Sequence, residues 1–398
     1  MANLKVLMMG GRRCGKTSLL SSLFDQMIHT PAIYDLLTVS DQTIPETKEY
    51  EWNGMIVSET QELLCEKKFE LKGLLRTYKS SAFLVDAGPT RAPWHYYMQI
   101  QLAGTSKMMT MEFLDVPGEF FDRGKNDGNK EQNKKHQERI KEVEEYVKEC
   151  DVFVIVVDTP YLMYDDETVV EAASLADSIH AFITHIDDKS SGAKLFLFVP
   201  MKCEKWIHKG EIAEVKKRIY KWYAPIMMHL QQRSKQVGNT EISIIPVQTA
   251  GGIEFSEMRK AYTVASTTGI RIKCSKVTDK TVIKSNGDMY SLQDGDILNE
   301  DMEATFNNVI ERPYTWFQHI SNPPKYAPKH CEQVALHILR FMLIKAKNNQ
   351  NTGWFAQFFK RIFGEITIND LNKTIDEMTN QGLIKDTGDG IERIVIYR

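Results

Sequence analysis

The chain has 398 residues, of which 42% are hydrophobic and 26% are charged, and its formal net charge is -3. This length allows two or three domains or one enlarged domain, and the nearly balanced charge gives no indication of nucleic acid or a membrane surface as a partner. The six cysteines are scattered without a C-x-x-C pair, which is typical of free thiols in a reducing compartment. We see no secretory leader and no run of about eighteen apolar residues, and we expect a cytoplasmic protein without a transmembrane segment.

Short apolar runs alternate with helical patterns along the chain. This alternation predicts an α/β fold with a mostly parallel sheet and helices on both faces. The apolar runs occupy residues 5–9, 108–115, 151–158, 194–200 and 241–247. The predicted helices begin with residues 17–24 and continue with 131–149, 166–186, 209–233 and 331–347.

Two stretches interrupt this alternation. Residues 24–88 carry mixed helical signals, which we interpret as a helical insertion. Residues 251–329 contain short β-like runs and an Asn-Gly-Asp turn, which predicts a β-rich insertion. The predicted domain organisation is therefore a main domain over 1–250, the β-rich insertion over 251–329, a closing helix of the main domain over 330–348, and a small α+β extension over 349–398.

A glycine-rich segment links the first apolar run to the first helix. Its spacing, a glycine, four residues and then Gly-Lys-Thr, is that of a loop whose backbone N–H groups and helix N-terminus surround phosphates. Lys16 would reach the β- and γ-phosphate oxygens, and the Thr17 hydroxyl would bind Mg²⁺. The alternative is a glycine-rich turn with an incidental lysine. The predicted phosphate-binding residues are Gly10, Gly11, Arg12, Arg13, Cys14, Gly15, Lys16, Thr17 and Ser18.

A second motif, Asp115-Val-Pro-Gly118, ends the apolar run at 108–115. In this D-x-x-G pattern the aspartate approaches Mg²⁺ and the glycine N–H can contact the γ-phosphate. Together, the two motifs resemble those of the P-loop GTPases of the TRAFAC type, and the resemblance covers residues 1–250 and the helix near 331–347. The enlarged domain is also similar to bacterial double-GTPase proteins. The resemblance implies the P-loop GTPase fold, GTP or GDP as ligand, Mg²⁺ as cofactor, and a protein effector or self-association.

The resemblance also assigns a switch threonine, which adds a second protein oxygen to Mg²⁺. Thr90 holds this position because it directly precedes a predicted β-hairpin over 94–115. The metal ligands implied are therefore Thr17, Thr90 and Asp115. Other threonines in the same region remain alternatives, namely Thr43, Thr47, Thr60 and Thr77.

Base recognition in this family uses an Asn-Lys-x-Asp motif after a later strand. Lys202 and Glu204 correspond to its lysine and aspartate, whereas Met201 replaces its asparagine. The glutamate keeps the charge that accepts hydrogen bonds from guanine, and Thr249 and Ala250 lie in the loop that covers the guanine oxygen. The resemblance thus predicts guanine over adenine, with a P-loop ATPase as the alternative.

Small GTPases place a water-orienting glutamine directly after D-x-x-G, where this chain has Glu119. A carboxylate there would be repelled by a triphosphate unless a cation or a raised pKa relieved the repulsion. Arg13 lies where the guanylate-binding proteins carry an arginine that acts as a built-in finger. The resemblance therefore implies catalytic roles for Arg13, Lys16, Thr90 and Glu119. Two alternatives remain open: solvated arginines at 12 and 13, and a nucleotide-loaded scaffold with negligible turnover.

Overall fold

The structure is a computed structural model, which describes residues 3–52, 55–77, 92–103, 106–121, 143–187, 194–237, 240–264, 281–283, 289–291, 309–321, 324–348 and 367–396. Its strands are β1 (Leu4–Gly10), β2 (Leu37–Asp41), β3 (Thr47–Trp52), β4 (Met55–Thr60), β5 (Trp94–Leu102), β6 (Met108–Asp115), β7 (Val152–Asp158), β8 (Lys194–Met201), β9 (Thr240–Ile244), β10 (Ile253–Val264), β11 (Thr281–Ile283), β12 (Met289–Ser291), β13 (Val309–His319), β14 (Thr387–Gly388) and β15 (Ile391–Ile396).

The helices are α1 (Lys16–His29), α2 (Pro31–Tyr34), α3 (Leu64–Thr77), α4 (described over 143–148), α5 (Thr159–Leu162), α6 (Glu167–Ser174), α7 (Ala176–Asp187), α8 (Glu204–His208), α9 (Ile212–Trp222), α10 (Ala224–Val237), α11 (Cys331–Asn348) and α12 (Ile368–Asn380). In the part of the chain that the structure describes, each helix is too short or too polar to cross a membrane.

The main sheet has nine described strands in the order β14-β15-β9-β8-β7-β1-β6-β5-β2. Its five central strands, β6, β1, β7, β8 and β9, are parallel and coincide with the five apolar runs of the sequence. These runs are almost entirely apolar because both faces of each strand are covered. The prediction of an α/β fold with a mostly parallel sheet is therefore confirmed.

Helices cover both faces of this sheet, and the alternation of side chains along each strand divides the core into two layers. Val6 and Met8 of β1 point to the layer that contains α1, α11 and α12. Leu7 and Met9 point to the opposite layer, which contains α4, α6, α7, α9 and α10. The parallel strands all end at one edge of this sandwich, where ligands bind in open α/β sheets.

The interpretation of residues 24–88 as a helical insertion was partly wrong. The described part contains α2 and α3, but β2 joins the edge of the main sheet and β3 pairs with β4 in a separate hairpin. These strands are short, and β3 reads Thr-Lys-Glu-Tyr-Glu-Trp, so the apolar alternation that identifies a strand is weak. Residues 78–91, which include Thr90, lie outside the described part.

The segment after residue 251, which the sequence predicts to be a β-rich insertion, contains four strands in its described part. β10 and β13 form a long antiparallel pair within a four-stranded sheet of order β12-β11-β10-β13. The C-terminal helix and strand pair are also present, but β15 continues the main sheet by pairing antiparallel with β9. Arg393 of β15 donates two hydrogen bonds to the buried Glu241, at 2.7 and 2.9 Å, which fixes this additional edge.

Candidate nucleotide-binding site

The glycine-rich loop lies between the end of β1 and the start of α1, at the edge where the parallel strands end. Lys16 is the first residue of α1 and is buried. Its ammonium donates to the carbonyl oxygens of Gly10 at 3.3 Å and Gly11 at 3.2 Å, so the charge lies inside the loop. The helix N-terminus and this ammonium together give the loop the positive field that a phosphate needs.

The backbone of this loop is held in a conformation that non-glycine residues rarely adopt. Arg13 has φ 60, in the left-handed region, and its side chain is half-buried whereas Arg12 is exposed. Lys202, at φ 58, is left-handed as well, and its ammonium donates to the Arg13 carbonyl oxygen at 3.0 Å. Such backbone strain persists only where surrounding contacts fix it, and it is concentrated at functional sites.

Thr17 and Asp115 bring the two sequence motifs together. The Thr17 hydroxyl donates to Asp115 Oδ2 at 2.6 Å, and the Asp115 side chain is fully buried. Among the described residues, no group donates a hydrogen bond to its second oxygen, Oδ1. Burial raises the pKa of Asp115, while Lys16 and Thr17 act in the opposite direction. A hydroxyl beside a buried carboxylate oxygen that accepts no hydrogen bond is a donor set that fits Mg²⁺.

The D-x-x-G turn lies directly against the glycine-rich loop. Gly118 begins a short helical turn that runs to Phe120. A Cβ added at Gly118 would lie 2.2 Å from the Arg12 nitrogen and 2.5 Å from the Gly11 carbonyl carbon. Only glycine permits this contact, so the two motifs are packed backbone against backbone. The side chain of Glu119 lies outside the described part of the structure, and its predicted role stays a prediction.

Asp158, which the sequence analysis missed, completes the support of the loop. It is the last residue of β7, and its Oδ2 accepts a hydrogen bond from Lys202 Nζ at 2.5 Å. Burial raises the pKa of Asp158, and the Lys202 charge opposes the shift. The sequence signal that could have identified Asp158 is its position as the polar last residue of a buried strand, β7, which pairs with β1. The ammonium of Lys202 thus links β7 to the backbone of the glycine-rich loop.

Glu204 is buried at the start of α8, close to this network. Burial raises its pKa to about 7; hydrogen bonds from the Glu204 and Gly251 backbone and the charge of Lys202 oppose this, whereas Glu254 adds to it. Met201, at the place of the asparagine in an Asn-Lys-x-Asp motif, packs against the loop: a Cβ on Gly15 would lie 2.8 Å from its terminal carbon. The start of α8 therefore carries a buried carboxyl group whose pKa is raised to about 7.

Thr249 and Ala250 lie in the loop after β9, which contacts α1. The Ser22 hydroxyl donates to the Thr249 carbonyl oxygen at 2.8 Å, and the Ala250 carbonyl accepts from the Ala327 nitrogen at 2.9 Å. The structure thus places the predicted phosphate, metal and base residues that it describes along one edge of the sheet. Thr90 is the predicted site residue whose position it does not describe.

No family model matches the sequence, and no curated protein matches it. Among solved structures, the chain is similar to a chain of the signal recognition particle receptor SRb-GTP/SRX complex from Chaetomium thermophilum. That match has 13% identity and a TM-score of 0.32, and it covers 63% of this chain and 93% of the other. A similarity at this level supports no inference about fold or function. The interpretation of the site therefore depends on its own geometry.

Proposed function

We propose that this protein binds guanine nucleotides with Mg²⁺ and hydrolyses GTP, as a P-loop GTPase of the TRAFAC type that acts as a nucleotide-controlled switch. One observation carries the proposal: Lys16, the Thr17–Asp115 pair and the Lys202–Asp158 pair converge on the glycine-rich loop. A glycine-rich turn with an incidental lysine does not require this convergence. We further propose a cytoplasmic location and a protein effector or self-association.

The phosphates would bind at the N-terminus of α1, where Lys16 already lies inside the loop. Thr17 and Asp115 would hold Mg²⁺, directly or through water, with Thr90 as the proposed additional ligand. When bound, Mg²⁺ neutralises charge on the phosphate oxygens and orients them. Deprotonated Asp115 is needed for this role, and the neighbouring Lys16 charge favours that form.

Base selection is assigned to Glu204, supported by Lys202. Guanine presents two adjacent N–H donors to an ionised carboxylate, whereas the same edge of adenine offers an acceptor beside a donor. An ionised carboxylate therefore favours guanine, because it accepts hydrogen bonds from both guanine donors, whereas the adenine ring nitrogen at the same place is itself an acceptor. GTP is therefore favoured over ATP, the ligand of the ATPase alternative. Thr249 and Ala250 would contribute backbone groups to the same pocket.

Transition-state charge would be stabilised by Arg13 from within the same chain. Its side chain is half-buried and its backbone is fixed by the hydrogen bond to Lys202. The variant Arg13→Gly tests this role cleanly, because glycine accepts the left-handed conformation without strain. An arginine finger is worth roughly a thousandfold or more in rate. Single-turnover hydrolysis by this variant within about threefold of the wild-type rate would reject the role.

The contact between Gly118 and the loop supports a switch. A γ-phosphate bound at the loop would act on the Gly118 turn, and the turn continues from β6, which pairs with β5. Loss of that phosphate would release the turn and alter the surface offered to an effector. Glu119, the residue that follows, is proposed to orient water in the loaded state.

Multiple-turnover phosphate release, measured with GTP and with ATP in Mg²⁺, tests the proposed reaction. We expect turnover of GTP that is lost in Lys16→Ala. GTP binding without phosphate release would favour the nucleotide-loaded scaffold. Equal turnover of both nucleotides would reject the assignment of Glu204 to base selection.

A further inference from the structure

The short helix that carries Glu204 is docked on the inserted four-stranded sheet. Trp206 of α8 stacks on Phe255 of β10, with ring centroids 5.5 Å apart and an interplanar angle of 10°. The Lys205 ammonium lies 4.8 Å from the centroid of the Phe255 ring and donates to the Ser256 carbonyl oxygen at 3.0 Å. Trp206 and Phe255 are both buried.

The far end of α8 is also tied to β10. His208 lies 3.1 Å from a Glu254 carboxylate oxygen, and Gln318 of β13 donates to the other oxygen at 2.7 Å. The β10–β13 register shifts between Phe255 and Glu257, which leaves Ser256 outside the ladder and its carbonyl available to Lys205. A helix of five residues cannot hold its own conformation in water. The direction of α8 is therefore set by its contacts with the inserted sheet and its neighbours.

A second connection links the insertion to the base pocket. We call residues 324–330, which run from the β13 side of the insertion to α11, the strap. A Cβ on Gly251 would lie 1.8 Å from the Ala327 carbonyl oxygen, and one on Gly252 would lie 2.2 Å from the Lys325 carbonyl oxygen. The strap is thus packed against the loop that contains Gly251. The Gly251 backbone in turn forms a hydrogen bond with the Glu204 carboxyl group.

We propose that the inserted sheet positions the base-selecting carboxylate: Phe255 and Trp206 are positioning residues that set guanine discrimination and nucleotide retention. This inference rests on the proposed function and deepens it. The phosphate half of the site is held by β1, β6, β7, α1 and the Lys202 ammonium, whereas the base half follows β8 and is packed against β10 and the strap. Loosening the Trp206–Phe255 stack therefore weakens base contacts and leaves phosphate contacts in place.

The test compares the full chain with Phe255→Leu, using three probes in Mg²⁺: GTP, ATP and inorganic tripolyphosphate, which has no base. A stacked aromatic pair contributes about 0.5 to 1.5 kcal/mol beyond its buried area, which corresponds to a roughly two- to tenfold effect. We expect the Kd for GTP to rise by that factor, and the Kd values for ATP and tripolyphosphate to stay within about twofold. Phe255→Tyr, which keeps the ring, should restore the GTP affinity.

Phe153→Leu is the matched control. Phe153 stacks on Phe196 at 4.9 Å and 12°, near the start of β7 and away from the strand ends that form the site. This variant should leave the preference for GTP over ATP unchanged. If Phe255→Leu does not fold, Lys205→Met removes the hydrogen bond to Ser256 and should change the preference in the same direction.

Two outcomes separate the inference from the proposed function. Wild-type protein that fails to bind GTP refutes the proposed function and the inference with it. Wild-type protein that binds GTP, together with Phe255 and Lys205 variants whose ratio of GTP to ATP affinity is unchanged, refutes the inference alone. Parallel losses for GTP and tripolyphosphate would also overturn it, because they would show a general effect on the domain.

Discussion

Glu204→Gln should remove the pH dependence of GTP binding that we predict for the wild-type protein. Burial raises the pKa of Glu204 to about 7, although Lys202 and backbone hydrogen bonds oppose the shift. The group is then roughly nine-tenths ionised at pH 8 and one-tenth ionised at pH 6. Because guanine donates to the ionised form, GTP affinity should fall about tenfold between pH 8 and pH 6.

The assay is calorimetric titration with GTP in excess Mg²⁺ at pH 6, 7 and 8, for wild type and Glu204→Gln. Titration of the phosphates, Asp115 and Asp158 is common to both proteins, so the ratio of their affinities isolates Glu204. The glutamine variant should bind GTP more weakly at pH 8 and approach the wild type at pH 6. A ratio that stays constant within about twofold over this range would refute the assignment.

The same shift predicts a change in stability of the free protein. The ordinary pKa of 4.5 rises to about 7 on folding, so folding favours the protonated carboxyl group. The associated stabilisation is present below pH 4.5 and is lost as the pH rises through 7, by up to about 3 kcal/mol. As the pH rises from 5 to 8, the wild type should lose free energy of unfolding, whereas Glu204→Gln should not. The difference in free energy of unfolding between the two proteins should therefore shift in favour of the variant. Urea titrations with parallel pH profiles for both proteins would contradict this.

Three further substitutions address separate parts of the site. Lys16→Ala should weaken GTP binding by roughly a hundredfold, because the ammonium within the loop is lost; unchanged affinity in calorimetry would count against phosphate binding there. Asp158→Asn should raise the Kd for GTP by roughly tenfold through the loss of the Lys202 contact, whereas Glu167→Gln, which breaks the exposed 2.6 Å pair with Lys221, should have no effect. Gly251→Ala should lower the free energy of unfolding by about 2 kcal/mol or more, because φ is 67 and the strap leaves no room for a Cβ; a thermal midpoint equal to wild type would contradict the packing.

The central sheet could be predicted because most of its parallel strands are apolar on both faces; β9 is the exception, with Glu241 and Ser243 on one face. The phosphate and D-x-x-G motifs could also be predicted, because each directly follows an apolar strand in the sequence and the residues that define it, around Lys16 and Asp115, are adjacent in the chain. Edge strands were harder to predict. β2 and β15 are partly exposed, so their pairing with β5 and β9 depends on contacts far along the chain.

The least predictable parts of the site arise from long-range packing. An aspartate at the end of an apolar strand is common, so the position of Asp158 does not identify its role. Only the fold brings it to Lys202, whose ammonium also donates to the Arg13 carbonyl oxygen. The stack of Trp206 on Phe255 joins α8 to β10 through residues that are 49 positions apart in the sequence. No local pattern in either segment specifies that contact.

A structure of the protein with a non-hydrolysable GTP analogue and Mg²⁺ tests the central claim most directly. Our account predicts triphosphate within the loop at Lys16, Mg²⁺ on Thr17, and the guanine edge within hydrogen-bond distance of the Glu204 carboxylate. It also predicts that Thr90 and Arg13 approach the γ-phosphate. A nucleotide bound elsewhere, or a base turned away from Glu204, would contradict the account.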